Sequence, residues 1–141
     1  MVSTLASSKL SSTTKNVYFD FDPGVTSLVD VGWESMQDFG AILVGVFRTI
    51  GTGTLVLNLL SNTVADGSGT DTTRKNKTFT AGQPDAVGDY VFVEAIASEL
   101  GGDPGVCAQI STTTGTDELV VHYQFGLARF GQLDLSADSI A

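Results

Sequence analysis

Nearly every apolar run in this chain is only as long as a β-strand and is closed by Gly, Thr, Asp or Asn. Side chains of a strand alternate between two faces, whereas a surface helix needs apolar residues three and four apart. Residues 17–22 show the first pattern, with Val17, Phe19 and Phe21 on one face and Asp20 and Asp22 on the other. No stretch offers a convincing amphipathic helix. The nearest competitor, residues 34–48, is interrupted by Gly40 and Gly45 and is rich in β-branched side chains.

Further strands follow at short spacing. Residues 27–33 form a short run, and residues 38–50 the longest one. In the latter Phe39, Ala41, Leu43, Gly45 and Phe47 share one face and Ile42, Val44 and Val46 the other. Two apolar faces fit a central strand or a strand at an oligomer contact. Gly51-Thr52-Gly53 separates it from Leu55, Leu57 and Leu59, and that spacing predicts a hairpin. Residues 61–77 read as a long polar loop and residues 82–89 as a turn-rich segment. Residues 90–98, 106–111 and 119–125 read as strands, and a last one is expected near 133–135. The expected architecture is all-β: an antiparallel β-sandwich or barrel, jelly-roll-like, of about eight strands. Residues 1–16 are a Ser/Thr-rich N-terminal arm and residues 17–141 a single β-sandwich domain.

Composition narrows the function. Sixteen acidic residues against seven basic ones give a net charge of −9, which disfavours nonspecific contact with nucleic acid or anionic membranes. The single cysteine, Cys107, forms no internal disulfide, and it reads as a small apolar filler. The N-terminus lacks the apolar core of a signal peptide, and no run approaches the ~20 residues of a membrane-spanning helix, so a soluble chain made in the cytoplasm is expected.

Catalytic constellations are missing from the pattern. His122, the one histidine, sits in mid-strand with no nucleophile motif beside it. Asp66-Gly67-Ser68-Gly69-Thr70-Asp71 is the nearest approach to a calcium loop, but it lacks the full ligand spacing and reads as a polar loop tip. Neither an enzyme nor a cofactor or metal site is expected. Arg74, Lys75 and Lys77 hold three of the seven basic residues; they are either a solvated loop or a docking patch for an acidic partner. Leu5 and Leu10 would anchor the arm if it orders against a neighbouring subunit. Trp33, Met36, Phe39 and Phe47 belong to the core or to an oligomer interface.

Residues 39–53, ending Val46-Phe47-Arg48-Thr49-Ile50-Gly51-Thr52-Gly53, resemble a recurring element of small virion proteins of tailed bacteriophages. Three later elements follow in the same order: residues 65–70; Ala86-Val87-Gly88-Asp89 leading into residues 90–95; and His122-Tyr123 with Ala128-Arg129-Phe130. The resemblance spans about residues 33–135. It implies a capsid decoration (cement) protein, made in the host cytoplasm and placed on the outside of the head. Its implied partners are the phage major capsid protein and further copies of itself, a trimer above all, with no direct nucleic-acid or membrane contact. Another virion component (major capsid, tail or head-completion protein) and a calcium-dependent carbohydrate-binding β-sandwich are the alternatives.

Overall fold

Alternation in sequence becomes the pleat of a strand. In Glu118–Gly126, Leu119, Val121, Tyr123 and Phe125 are buried while the residues between them face outward. The computed structural model describes residues 14–79 and 90–127. Within them lie eight strands: β1 Lys15–Phe21, β2 Val29–Ser35, β3 Ala41–Ile50, β4 Leu55–Asn62, β5 Asp71–Phe79, β6 Tyr90–Ile96, β7 Gly105–Thr112 and β8 Glu118–Gly126. A single 3-10 turn, Ala97–Leu100, follows β6, and Gly101 closes it at φ 65°. Residues 1–13, which include Leu5 and Leu10, lie outside the described residues, as do the turn-rich segment 82–89 and the strand expected near 133–135.

The strands form two four-stranded sheets, ordered β1-β8-β3-β6 and β2-β7-β4-β5, and every pairing is antiparallel. The chain therefore folds back on itself between β4 and β5. Each strand of the first half pairs with its counterpart in the second (β4 with β5, β3 with β6, β2 with β7, β1 with β8), and the long ribbon rolls into a sandwich. That is the jelly-roll arrangement. Between the sheets lie Ile42, Val44 and Val46 of β3, Leu55, Leu57 and Leu59 of β4, Val91, Val93 and Ala95 of β6, and the inward residues of β7 and β8. Phe39 packs its ring on Phe125, 5.5 Å between centroids, and Met36 is buried, so both join the core.

One buried polar group crosses this apolar layer. The Tyr123 hydroxyl on β8 donates to the Gly32 carbonyl at 2.8 Å and accepts from the Ala108 amide at 2.6 Å, tying one sheet to two strands of the other. The register of β2 on β7 slips at Val31, so the ladder is broken where the hydroxyl inserts. Packing also leaves no room for a side chain at Gly32. A Cβ at that position would stand 2.7 Å from the Phe19 ring, which lies 4.9 Å from the Tyr123 ring. Burial pushes the Tyr123 phenol far above its ordinary range, so it stays a neutral donor.

Two expectations from the sequence are corrected here. β3 and β4 do not form a hairpin: β3 lies in one sheet and β4 in the other, and residues 51–54 turn a corner between them. The corner is held by a buried ion pair, Arg48 Nη1 to Asp117 Oδ2 at 2.5 Å. Arg48 Nη2 also donates to the Gly53 carbonyl, and the Gly53 amide donates to Asp117. Gly51, at φ 103°, leaves the room Asp117 occupies. The long polar loop is also mostly strand. Ser61 and Asn62 belong to β4, and Arg74, Lys75 and Lys77 lie on β5, leaving residues 63–70 as the connection. Asn62 organises that connection, accepting from the Val64 and Gly69 amides and donating to the Gly67 carbonyl and the Asp71 carboxylate.

Replacing Tyr123 by Phe leaves the Gly32 carbonyl and the Ala108 amide unpaired in the core. The expected loss is about 1–3 kcal/mol, the usual range for stranding buried polar groups. Urea unfolding should show a lower midpoint with an unchanged slope.

Candidate binding surface

Each sheet has one face toward the core and one toward solvent, and the two solvent faces differ sharply. On the β1-β8-β3-β6 sheet the register lines up Tyr18, His122, Gly45 and Phe92 in one row and Asp20, Val120, Phe47 and Tyr90 in the next. Four aromatic side chains on this face are substantially exposed: Tyr18 at 63%, Phe92 at 48%, Tyr90 at 39% and Phe47 at 38%. Ile96, also exposed, extends the apolar surface along β6.

The rings are set in place by one another. Tyr18 and His122 stack in parallel, 4.4 Å apart and 5° from coplanar. Tyr90 packs against Phe47 at 4.5 Å and Phe92 at 5.9 Å. Gly45 explains why Tyr90 lies low: a Cβ there would come within 2.2 Å of its hydroxyl oxygen. The Tyr90 phenol is raised above its ordinary value, first by partial burial and then by the nearby Tyr18. Beyond Leu43 a shallow hollow of about 390 Å³ opens between Glu94, Ile96, Gln124 and Leu127. Asp20, Glu94 and Glu118 give this aromatic face an acidic margin.

The outer face of the β2-β7-β4-β5 sheet is closed by polar bonding. Asp30, Gln109, Asn58 and Asn76, one from each strand, form a continuous side-chain ladder with steps of 3.0, 3.2 and 2.6 Å. Beside it the 63–70 connection folds back so that Gly67 lies against the Trp33 ring. These polar groups satisfy each other and leave little for a partner to bind.

The basic residues singled out in sequence lie on β5, an outer strand of this second sheet. Arg74, the extra residue at a register slip, donates to Ser61 at 2.8 Å and pairs with Asp103 at 3.2 Å. Lys75 pairs with Glu99, which holds the Glu99 carboxyl below its usual range. Lys77 lies 5.7 Å from the Phe79 ring centroid. The structure thus brings two of the three cations onto carboxylates of the segment after β6 rather than into one open cluster. In sequence Phe47 stands out as core or interface, but nothing there joins it to Tyr18, Tyr90 and Phe92 in one face. The signal for that face was the apolar character of both faces of residues 38–50, together with outward Tyr90, Phe92 and Ile96.

The groups with chemical potential are engaged structurally. His122 shares a 2.8 Å hydrogen bond with Asn16, and partial burial lowers its pKa. Cys107 is buried and its thiol is pushed up to about 11, chiefly by burial, so it is not a thiolate at neutral pH. Asp66 accepts from the Ser68 amide in a local turn, and Asp22 does the same for Gly24. Among the described residues no group of three or more His, Cys, Asp or Glu stands close enough to hold a metal ion.

No protein-family model matches the chain, and no curated protein sequence matches it. Several solved structures align with the chain. SPBc2 prophage-derived protein YomS aligns with a TM-score of 0.48 at 12% identity, over 80% of this chain and 95% of that one. The Yersinia pseudotuberculosis-derived mitogen aligns with a TM-score of 0.46 at 9% identity, over 80% and 85%. The VP2 subviral particle of infectious bursal disease virus aligns with a TM-score of 0.40 at 12% identity, over 79% of this chain and 30% of that one. The jelly-roll assignment rests on the strand order itself.

Because His122 is the sole histidine, its ring protons report one site without ambiguity. An NMR titration should place its midpoint below the ordinary 6.5. A depressed pKa means that the unfolded chain takes the proton first, so stability is full above the ordinary value and declines as the pH falls through the folded one. Tyr18→Ala, which removes the stacked ring, should move the midpoint back up.

Proposed function

We propose that this jelly roll is a structural virion protein of a tailed phage. It decorates and stabilises the capsid exterior as a symmetric homo-oligomer and performs no catalysis. The observation that carries the reading is the exposed aromatic face of the β1-β8-β3-β6 sheet. Monomeric proteins seldom leave several large aromatics contiguous in water, and such patches mark interaction sites. Here they are held by ring packing and by the gap at Gly45, so little side-chain freedom is lost on contact. Burial of this face against a capsid protein is the driving force. Repetition over a lattice makes a weak single contact sufficient. The arm with Leu5 and Leu10, and Arg74, Lys75 and Lys77, supply secondary contacts in this reading. Of the three cations, Lys77 is the most available to an acidic partner.

Co-sedimentation with intact heads of the encoding phage tests it. The full chain should pellet with heads to saturation. Tyr18→Ser with Phe47→Ser should weaken binding at least about tenfold, as loss of two anchor side chains does, with the circular dichroism unchanged. Deleting residues 2–13, which stops short of β1, should weaken it less. Unchanged binding of the double variant, or no pelleting at all, overturns the proposal.

The same aromatic face favours a second reading, carbohydrate binding, because rings stack on the apolar faces of sugars. Glycan-array binding that is lost in the same double variant, without pelleting on heads, would establish it.

A further inference from the structure

Sheet edges present unpaired backbone groups, and natural proteins blunt them with charge, bulges or cover. The two sheets have four edge strands, and three carry such devices. β5 has Arg74, Lys75 and Lys77 and a register slip at Arg74. β2 has the slip at Val31 and two carboxylates, Asp30 and Glu34. β1 has Lys15, bound to Glu34 at 3.1 Å, and Asp20.

β6 is different. Its seven residues, Tyr90–Ile96, contain one charge, Glu94, and pair with β3 in unbroken register from Ile96 to Tyr90. No strand among the described residues pairs with its other edge. Its outward side chains are the exposed Tyr90, Phe92 and Ile96 with Glu94 among them.

We infer that β6 pairs with β6 of a second copy, antiparallel about a two-fold axis at Val93, joining two four-stranded sheets into one of eight. The sequence of the strand selects this occupant and this register. Parallel pairing in register would set Glu94 against Glu94, and like charges directly opposite are destabilising. Antiparallel pairing keeps core-facing residues on the core side only when opposed residues share a face. An axis at Glu94 again opposes the two carboxylates. The axis at Val93 pairs Tyr90 with Ile96, Val91 with Ala95 and Phe92 with Glu94, using the whole strand and opposing no like charges. It also places the two Phe47-Tyr90-Phe92 clusters on one continuous face. An isologous dimer is the commonest closed assembly. This specifies the homo-oligomer of the preceding proposal as two-fold rather than the trimer the resemblance implies. It stands or falls apart from any binding to heads.

The test is the mass of the purified full chain by light scattering, for wild type and variants. Wild type should run at twice the 14.7 kDa chain mass. Phe92→Glu sets a new carboxylate opposite Glu94 at both symmetry-related positions and should weaken the dimer about tenfold or more. Phe92→Lys sets an opposite charge there and should keep the dimer. Adding Glu94→Lys to Phe92→Glu should restore it. In wild type, dilution to monomer should speed amide exchange in β6 while β3 stays protected, a readout that needs no variant. A monomeric or trimeric wild type overturns the inference. So does equal loss of the dimer in Phe92→Glu and Phe92→Lys, which would mark a general apolar contact rather than this register.

Discussion

Inside the core, the Tyr123 hydroxyl ties the two sheets of this sandwich to each other. An apolar interlayer has no direction of its own: leucines, isoleucines and valines slide over each other at little cost, and burial alone does not choose among nearby registers. The Tyr123 hydroxyl does choose, because it meets two backbone groups of the opposite sheet at once. Those groups are available only because β2 slips one residue at Val31. Gly32, beside the slip, leaves the room that the Phe19 ring fills. A bulge in one sheet, a missing Cβ and a phenol in the other form one interlocking unit. The placement of β1 and β8 over β2 and β7 follows from it, and so does the geometry of the face beyond β8.

The opposite end is fixed by charge. Arg48 and Asp117 are both fully buried, and removing either charge would take the counter-ion from the other in a dry site, which costs several kcal/mol (~3–5). The pair closes the corner through which the chain leaves one sheet for the other. In sequence this corner looks like a hairpin, since Gly51-Thr52-Gly53 separates two alternating runs. The local pattern is the same in both cases. What differs is a carboxylate 64 residues away, whose contact with the Gly53 amide no window of neighbouring residues contains.

The same division explains what else was legible. Strand existence and facing depend on a period of two, so the inward sets Ile42, Val44, Val46 and Leu119, Val121, Tyr123, Phe125 are visible in the chain itself. The all-β class follows from them. β5 was hidden because Asp71–Phe79 is polar on both faces, as an edge strand built to resist pairing is. Arg74, Lys75 and Lys77 therefore looked like loop residues. The aromatic face was hidden for another reason. Tyr18, Phe47, Tyr90 and Phe92 come from three strands, and only the pairing of β1 with β8 and of β8 with β3 and β3 with β6 brings them into adjacent rows. Sequence shows each as one outward aromatic, which is unremarkable singly.

The distribution of polar bonding argues where function lies. On the β2-β7-β4-β5 sheet the amide ladder, the Asn62 turn and the Arg74-Ser61-Asp103 cluster use their donors and acceptors on each other. The Tyr123 hydroxyl in the core is used twice, and Cys107 is a neutral thiol under cover. His122 is stacked and hydrogen-bonded. What the described surface still offers is chiefly apolar: aromatic rings on the outer face of β1-β8-β3-β6, and the length of β6 at its margin, where Glu94 is the one charge. Apolar area and an open strand edge both release free energy by being covered. They meet at Tyr90 and Phe92, which belong to the face and to the edge at once. A contact that forms along the edge therefore also enlarges the face, and self-association and docking on a larger surface become successive uses of the same side chains.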